Sequence, residues 1–123
     1  HVIHLAAQIS VPGSWYKVAE TVETNTRDTV RLLERCRSLN SFQGMAFASS
    51  CAVYGNAECV PIEEEQPCVP GSPYALSKLG AESYLNLFSK MLFFCQYCSI
   101  SFATFGKSSP LYSGNIMLII YHF

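Results

Sequence analysis

Tyr74 and Lys78 stand four residues apart in the stretch Ser72-Pro73-Tyr74-Ala75-Leu76-Ser77-Lys78, a spacing that puts both side chains on one face of a helix. An ammonium beside a phenol favours the phenolate, and a phenol tuned in this way serves as a general base that takes or returns a hydroxyl proton. The same spacing also describes a core tyrosine beside a solvated lysine, so the pair alone leaves two readings open. Upstream, Met45-Ala46-Phe47-Ala48 is a short apolar run that ends in Ser49 and Ser50. Ligands of open α/β sheets bind outside the carboxyl ends of the strands, where a serine hydroxyl can bond a substrate oxygen. The alternative there is a strand-end serine that caps a turn.

These residues need elements to hold them. Val2-Ile3-His4-Leu5-Ala6-Ala7 is an apolar run suited to a buried parallel strand, and its abrupt start leads us to expect preceding sequence. Pro12-Gly13-Ser14 reads as a turn. Beyond it, Val22, Thr26, Thr29, Val30, Leu33 and Cys36 recur at three- and four-residue spacing and predict one amphipathic helix over about residues 16–39. A second strand covers 45–48, and residues 55–72, rich in Pro and Gly, form a long surface loop whose Glu63, Glu64 and Glu65 make a solvated face. Ser72 and Pro73 supply an N-cap and a first-turn proline for a helix to about Met91, and Tyr97 to Ala103 offers a third strand. Strands alternating with helices predict an α/β domain with a parallel sheet.

Composition removes several function classes. The 123 residues suffice for one domain, and 8 Lys+Arg against 9 Asp+Glu leave no basic footprint for nucleic acid. The longest apolar run, Ile116 to Tyr121, is far short of the roughly 18 residues of a membrane span, so no membrane partner is expected. No secretory signal pattern opens the chain, which points to a cytoplasmic setting with its six cysteines as thiols. Cys95-x-x-Cys98 would need two more ligands from the widely spaced Cys59, Cys68 or His122, so no metal is expected. His4 reads as a satisfied core histidine, and Trp15 and Tyr16 as residues that pack or cover a site edge. Charge breaks sharply: 16 of 17 charged side chains precede residue 91, whereas 91–123 hold only Lys107 and eight of the 16 aromatics. That tail should be the least stably held part.

Four landmarks in order resemble one family. His4-Leu5-Ala6-Ala7-Gln8 is similar to its strand-four motif, Asn25 with Thr29 to its Asn-x-x-Gly-Thr signature, and Phe47-Ala48-Ser49-Ser50-Cys51-Ala52-Val53-Tyr54-Gly55 to its catalytic-serine strand. Ser72 to Lys78 is similar to the start of its catalytic helix. On these motifs, which cover residues 2 to about 90, the chain resembles the extended short-chain dehydrogenase/reductases, in particular the NAD-dependent nucleotide-sugar epimerases and dehydratases.

The resemblance implies a partial Rossmann-like, doubly wound parallel sheet, with residues 1–106 as part of an NAD-binding domain and 107–123 as the start of a substrate domain or an aberrant tail. It implies NAD as cofactor, a UDP-sugar as substrate and compatibility with a homodimer. Tyr74 would be the base, Lys78 would hold the cofactor ribose, and Ser50 would bond the reacting oxygen. Leu5, Ala6, Ala7, Asn25 and Ser49 would line the cofactor along with Tyr74 and Lys78. Dehydratases of the family carry Asp-Glu after the catalytic Ser or Thr; Cys51 and Ala52 stand here, which favours 4-epimerisation of a sugar such as that of UDP-glucose or UDP-N-acetylglucosamine. A dehydratase or reductase is the related alternative, and an inactive fragment or interaction module the unrelated one. No Gly-x-x-Gly-x-x-Gly occurs in the 123 residues, so the chain by itself should hold NAD weakly. Asp28 takes the place of the signature glycine, at a packing cost if buried, and Ala103 stands where a substrate-touching asparagine is expected, although Ser109 to Gly114 again resembles a family loop.

Overall fold

The computed structural model describes residues 1–56, 61–63, 65–92, 95–101 and 118–122, with side chains through residue 91. Strand β1 (Val2–His4) pairs parallel with β2 (Gly44–Ser50), with His4 opposite Phe47, and β2 pairs parallel with β3 (Cys95–Ser101) along its whole length. Strand β4 (Leu118–His122) closes the order β1-β2-β3-β4 as an antiparallel neighbour of β3. The third strand thus starts two residues earlier than Tyr97, and the expected α/β class with a parallel sheet is present. Residues 102–117, including the family-like loop and Ala103, lie outside the described residues.

Between β1 and β2 the chain is helical in pieces: α1 (Val11–Tyr16), α2 (Val18–Val22), a π turn (Glu23–Arg27) and α3 (Asp28–Arg37). Two expectations change here. Pro12-Gly13-Ser14 is the first part of α1, not a turn, because Ser10 caps the helix by accepting the Gly13 N–H at 3.0 Å and proline needs no N–H in a first turn. A Cβ on residue 13 would sit 2.7 Å from the Ser10 hydroxyl oxygen, so glycine permits the cap. The single helix over 16–39 is also replaced by a broken one whose buried positions are Thr21, Asn25, Thr29, Leu33 and Cys36, while Val22 is exposed. A regular helix turns by ~100° per residue, so a strict four-residue repeat drifts around it. The wider π turn brings Thr21, Asn25, Thr29 and Leu33 back to one side.

Helix α4 (Pro73–Leu92) begins where Ser72 accepts the Ala75 N–H at 3.1 Å. Leu33 and Cys36 of α3, Met45 and Phe47 of β2, and Ala81 and Leu85 of α4 form one buried cluster, with Val2 and Phe88 against it. Both helices therefore pack on the face of β2 that carries Met45 and Phe47. On β1 the opposite face is open, with Ile3 73% exposed. A 3-10 turn (Cys51–Tyr54) leaves the end of β2 and reaches Gly55, whose φ of 68° and approach to the Val69 carbonyl demand glycine. The described part of 55–72 carries no regular helix or strand beyond bends.

Candidate active site

The C-terminal end of β2 and the first three turns of α4 meet through their side chains. Lys78 is only 3% exposed, which removes the reading of a solvated lysine. Its Nζ donates to the Ala48 carbonyl at 2.8 Å and lies 4.7 Å from the centre of the Phe47 ring. A desolvated ammonium over an aromatic face and on a carbonyl is held by charge-assisted contacts that a mobile surface lysine lacks. Tyr74, 7% exposed, precedes it by one turn on the same helix. Ser50 ends β2, two residues after Ala48, and its Oγ accepts the Ala52 N–H at 3.3 Å. The cap reading of this serine is correct as far as it goes. A hydroxyl that accepts one N–H still has its own hydrogen and a second lone pair for a ligand oxygen.

One turn beyond Lys78, Glu82 accepts the hydroxyl of Ser49. Glu82 was not among the residues singled out from the sequence, although continuing the Tyr74–Lys78 interval by four more residues would have found it. Ser49 is buried and spends its hydroxyl on this bond, so α4 is fastened to consecutive residues of β2, at Ala48 through Lys78 and at Ser49 through Glu82.

The polypeptide after β1 is fixed by Asn25. This side chain is 1% exposed; its Oδ1 accepts the Gln8 N–H at 2.8 Å, and its Nδ2 donates to the Gln8 carbonyl at 3.0 Å and to Ser77 Oγ at 3.0 Å. Both amide hydrogens are therefore committed within the protein, and Asn25 acts on Leu5, Ala6 and Ala7 by anchoring the residue that follows them. Leu5 and Ala6 are exposed and Ala7 is half-buried, at the carboxyl end of β1. Thr26 Oγ1 adds a bond to the Ser77 carbonyl at 2.9 Å, tying the π turn to α4.

His4 pairs through Nε2 with Thr29 Oγ1 at 3.0 Å, and its ring lies tilted against Phe47 with centroids 5.7 Å apart. Burial, with Lys78 as the smaller contributor, pushes the imidazole below its ordinary value and keeps it neutral. It is a satisfied, structural histidine. Trp15 and Tyr16 are not packed inside: both are surface residues, the latter 91% exposed. Asp28 is exposed among Arg27 and Arg31, at 3.2 and 3.6 Å, so the lost signature glycine costs no packing. Cys36, Cys51 and Cys68 are free thiols, while Cys59 and the side chains of Cys95, Cys98 and His122 lie outside the described residues.

What this arrangement can do chemically is limited and specific. Lys78 and Ser50 lie at the carboxyl end of a parallel strand, with the buried Tyr74 one turn before Lys78 on α4, so a phenol, an ammonium and a hydroxyl, groups suited to moving a proton, are carried on two adjoining elements. The UDP-glucose 4-epimerase of Azospirillum brasilense is 40% identical over 85 residues, which are 69% of this chain and 24% of that protein. The GDP-6-deoxy-D-mannose reductase of Pseudomonas aeruginosa is 39% identical over 84 residues, 67% of this chain and 28% of that one. Among solved structures, the Thermus thermophilus UDP-glucose 4-epimerase complex with NAD superposes with a TM-score of 0.75 at 36% identity, covering 80% of this chain and 32% of that one. The likeness makes the α/β arrangement Rossmann-like, and the chain spans about a quarter to a third of the length of these relatives. The family model described as GDP-mannose 4,6 dehydratase matches residues 1–119, and the chain belongs to that family of NAD-dependent sugar-nucleotide epimerases and dehydratases.

Proposed function

We propose that this chain carries the proton-transfer part of an NAD-dependent nucleotide-sugar 4-epimerase acting on a UDP-sugar, with residues 1–106 as a portion of its NAD-binding domain. The observation that carries the reading is the buried Lys78, set one turn after Tyr74 and bonded to β2 two residues before Ser50. The residues fit the cofactor: Leu5, Ala6 and Ala7 offer approachable backbone at the carboxyl end of β1, anchored by Asn25, and Ser49 and Lys78 flank the end of β2. Bound NAD would supply reversible oxidation at the sugar C4.

Tyr74 takes the proton of the C4 hydroxyl through its phenolic oxygen and returns it once the 4-keto sugar has turned over. Ser50 donates to the reacting oxygen as charge develops on it, a preorganised interaction of the kind that dominates such steps. Lys78, held on the Ala48 carbonyl, would bond the cofactor ribose and favour the phenolate of Tyr74. Cys51 and Ala52 offer neither acid nor base for eliminating water, which favours epimerisation over dehydration. A second reading, reduction of a keto sugar, has the support of the 39% identical reductase. With Cys36, Cys51 and Cys68 as thiols, a reducing cytoplasmic compartment suits the chain.

The test is a chimera in which the matched segment of this chain replaces its counterpart in the Thermus thermophilus enzyme. Conversion of UDP-glucose to its 4-epimer that falls about a hundred- to ten-thousandfold on Tyr74→Phe is expected. A folded chimera that leaves UDP-glucose unchanged but, when supplied with NADH or NADPH, reduces a 4-keto sugar with oxidation of that cofactor would overturn epimerisation in favour of the reductase.

A further inference from the structure

Tyr74 occupies the second position of α4, where a helix has no partner of its own for the backbone N–H and where ends fray. The partner comes from far away in the sequence. Ser14, on α1 and 0% exposed, accepts the Tyr74 N–H on its Oγ at 3.1 Å while donating its hydroxyl hydrogen to the Val11 carbonyl at 2.7 Å. Donating to Val11 orients the hydroxyl, so that a lone pair is turned toward the Tyr74 amide. On its other side, the Tyr74 carbonyl accepts the Ser77 hydroxyl at 2.7 Å, and Ser77 in turn accepts from Asn25, which grips Gln8. Residues 8 to 14 are thus attached at one end to the carbonyl side of Tyr74 and at the other to its amide side, closing a ring of hydrogen bonds.

We propose that Ser14 is a positioning residue for proton transfer: it holds the backbone of Tyr74 at a fixed distance from the Leu5–Ala7 ledge at the end of β1. This inference rests on Tyr74 being the proton-transfer group. An Ala at position 14 keeps the backbone of α1 and removes the hydroxyl, and with it both the acceptor for Tyr74 and the local bond to the Val11 carbonyl, so the first turn of α4 loses its tie to α1 while the cluster of Phe47, Ala81 and Leu85 stays intact. Misplacement on the order of 1 Å costs such a step about a hundredfold.

Two measurements test it. In the full 123-residue chain, amide hydrogen exchange followed by NMR should find the Tyr74 N–H protected, and Ser14→Ala should speed its exchange about tenfold or more while the amides in the middle of α4 keep their rates. Tyr74 exchange in the unsubstituted chain as fast as an unprotected amide would overturn the proposal, with no need for the variant to fold. In the chimera, Ser14→Ala should lower kcat about ten- to a hundredfold with KM for UDP-glucose within about twofold, and Ser14→Thr, which retains the hydroxyl, should restore much of it. Unchanged kcat beside lost Tyr74 protection would leave Ser14 a helix tie only and refute the positioning role. Failure of the functional reading has a separate signature: turnover that survives Tyr74→Phe.

Discussion

Replacing Asn25 by alanine is the sharpest way to ask what holds the segment after β1. The amide makes three hydrogen bonds from a site that is 1% exposed, two of them to the N–H and C=O of Gln8, at 2.8 and 3.0 Å. The third, to Ser77 Oγ, leaves a hydroxyl that still donates to the Tyr74 carbonyl at 2.7 Å, so its loss orphans no donor. The cost is then that of the two Gln8 backbone groups. A buried polar group left without a partner costs about 1 to 3 kcal/mol, and Gln8 is half-buried, so water recovers part of this; about 2 to 4 kcal/mol is expected in total. With a urea slope of about 1 to 3 kcal/mol/M, the midpoint of unfolding of the full chain should fall by about 1 to 4 M, read by far-ultraviolet circular dichroism. Asn25→Asp is the informative control. Its carboxylate can accept from the Gln8 N–H but sets lone pairs against the Gln8 carbonyl, so at neutral pH it should be at least as damaging as alanine. Burial and that carbonyl raise the folded-state value of such a carboxyl. Its deficit should therefore shrink as pH falls through that raised value, where the protonated form can donate. An alanine variant within about 0.5 kcal/mol of the unsubstituted chain, or an aspartate variant whose deficit ignores pH, would refute this account.

Three further outcomes follow from single contacts. Lys78→Met keeps the stem but removes a buried charge, so stability should change by no more than about 1 kcal/mol or rise, while turnover in the chimera falls about a hundredfold or more; a loss of stability matching the loss of activity would contradict it. Gly55→Ala forces a side chain to φ 68° with its Cβ 2.0 Å from the Val69 carbonyl oxygen, and should cost about 2 to 3 kcal/mol in urea unfolding, against no measurable effect if the loop simply shifts. His4 is held below its ordinary 6.5 by burial and by Lys78. The unfolded chain therefore binds the proton first, and stability should be complete above about pH 6.5 and fall as pH drops below it. His4→Gln should flatten that slope in a pH series of urea midpoints, and an unchanged slope would show that other groups carry it.

The sequence by itself determined whatever depends on neighbours three or four residues apart. Tyr74 and Lys78 share a face because a helix repeats about every 3.6 residues, Ser72 and Pro73 open α4 through local capping, and the apolar run from Met45 to Ala48 gives way to Ser49 and Ser50, the last two residues of β2. The family motifs were legible for the same reason, as each is short. What the tertiary structure alone decided spans long intervals. Whether Lys78 is solvated or buried depends on β2, thirty residues earlier; Ser49 meets Glu82 across 33 residues, Ser14 meets Tyr74 across 60, and Asn25 meets Ser77 across 52. The π turn belongs to this class too, since Thr21, Asn25 and Thr29 come to one buried side only where their side chains find Gln8, Lys17 and His4. The reason is physical: a polar side chain is favourable inside only where packing delivers a partner for each of its hydrogen-bonding groups, and no local pattern announces where that partner will be.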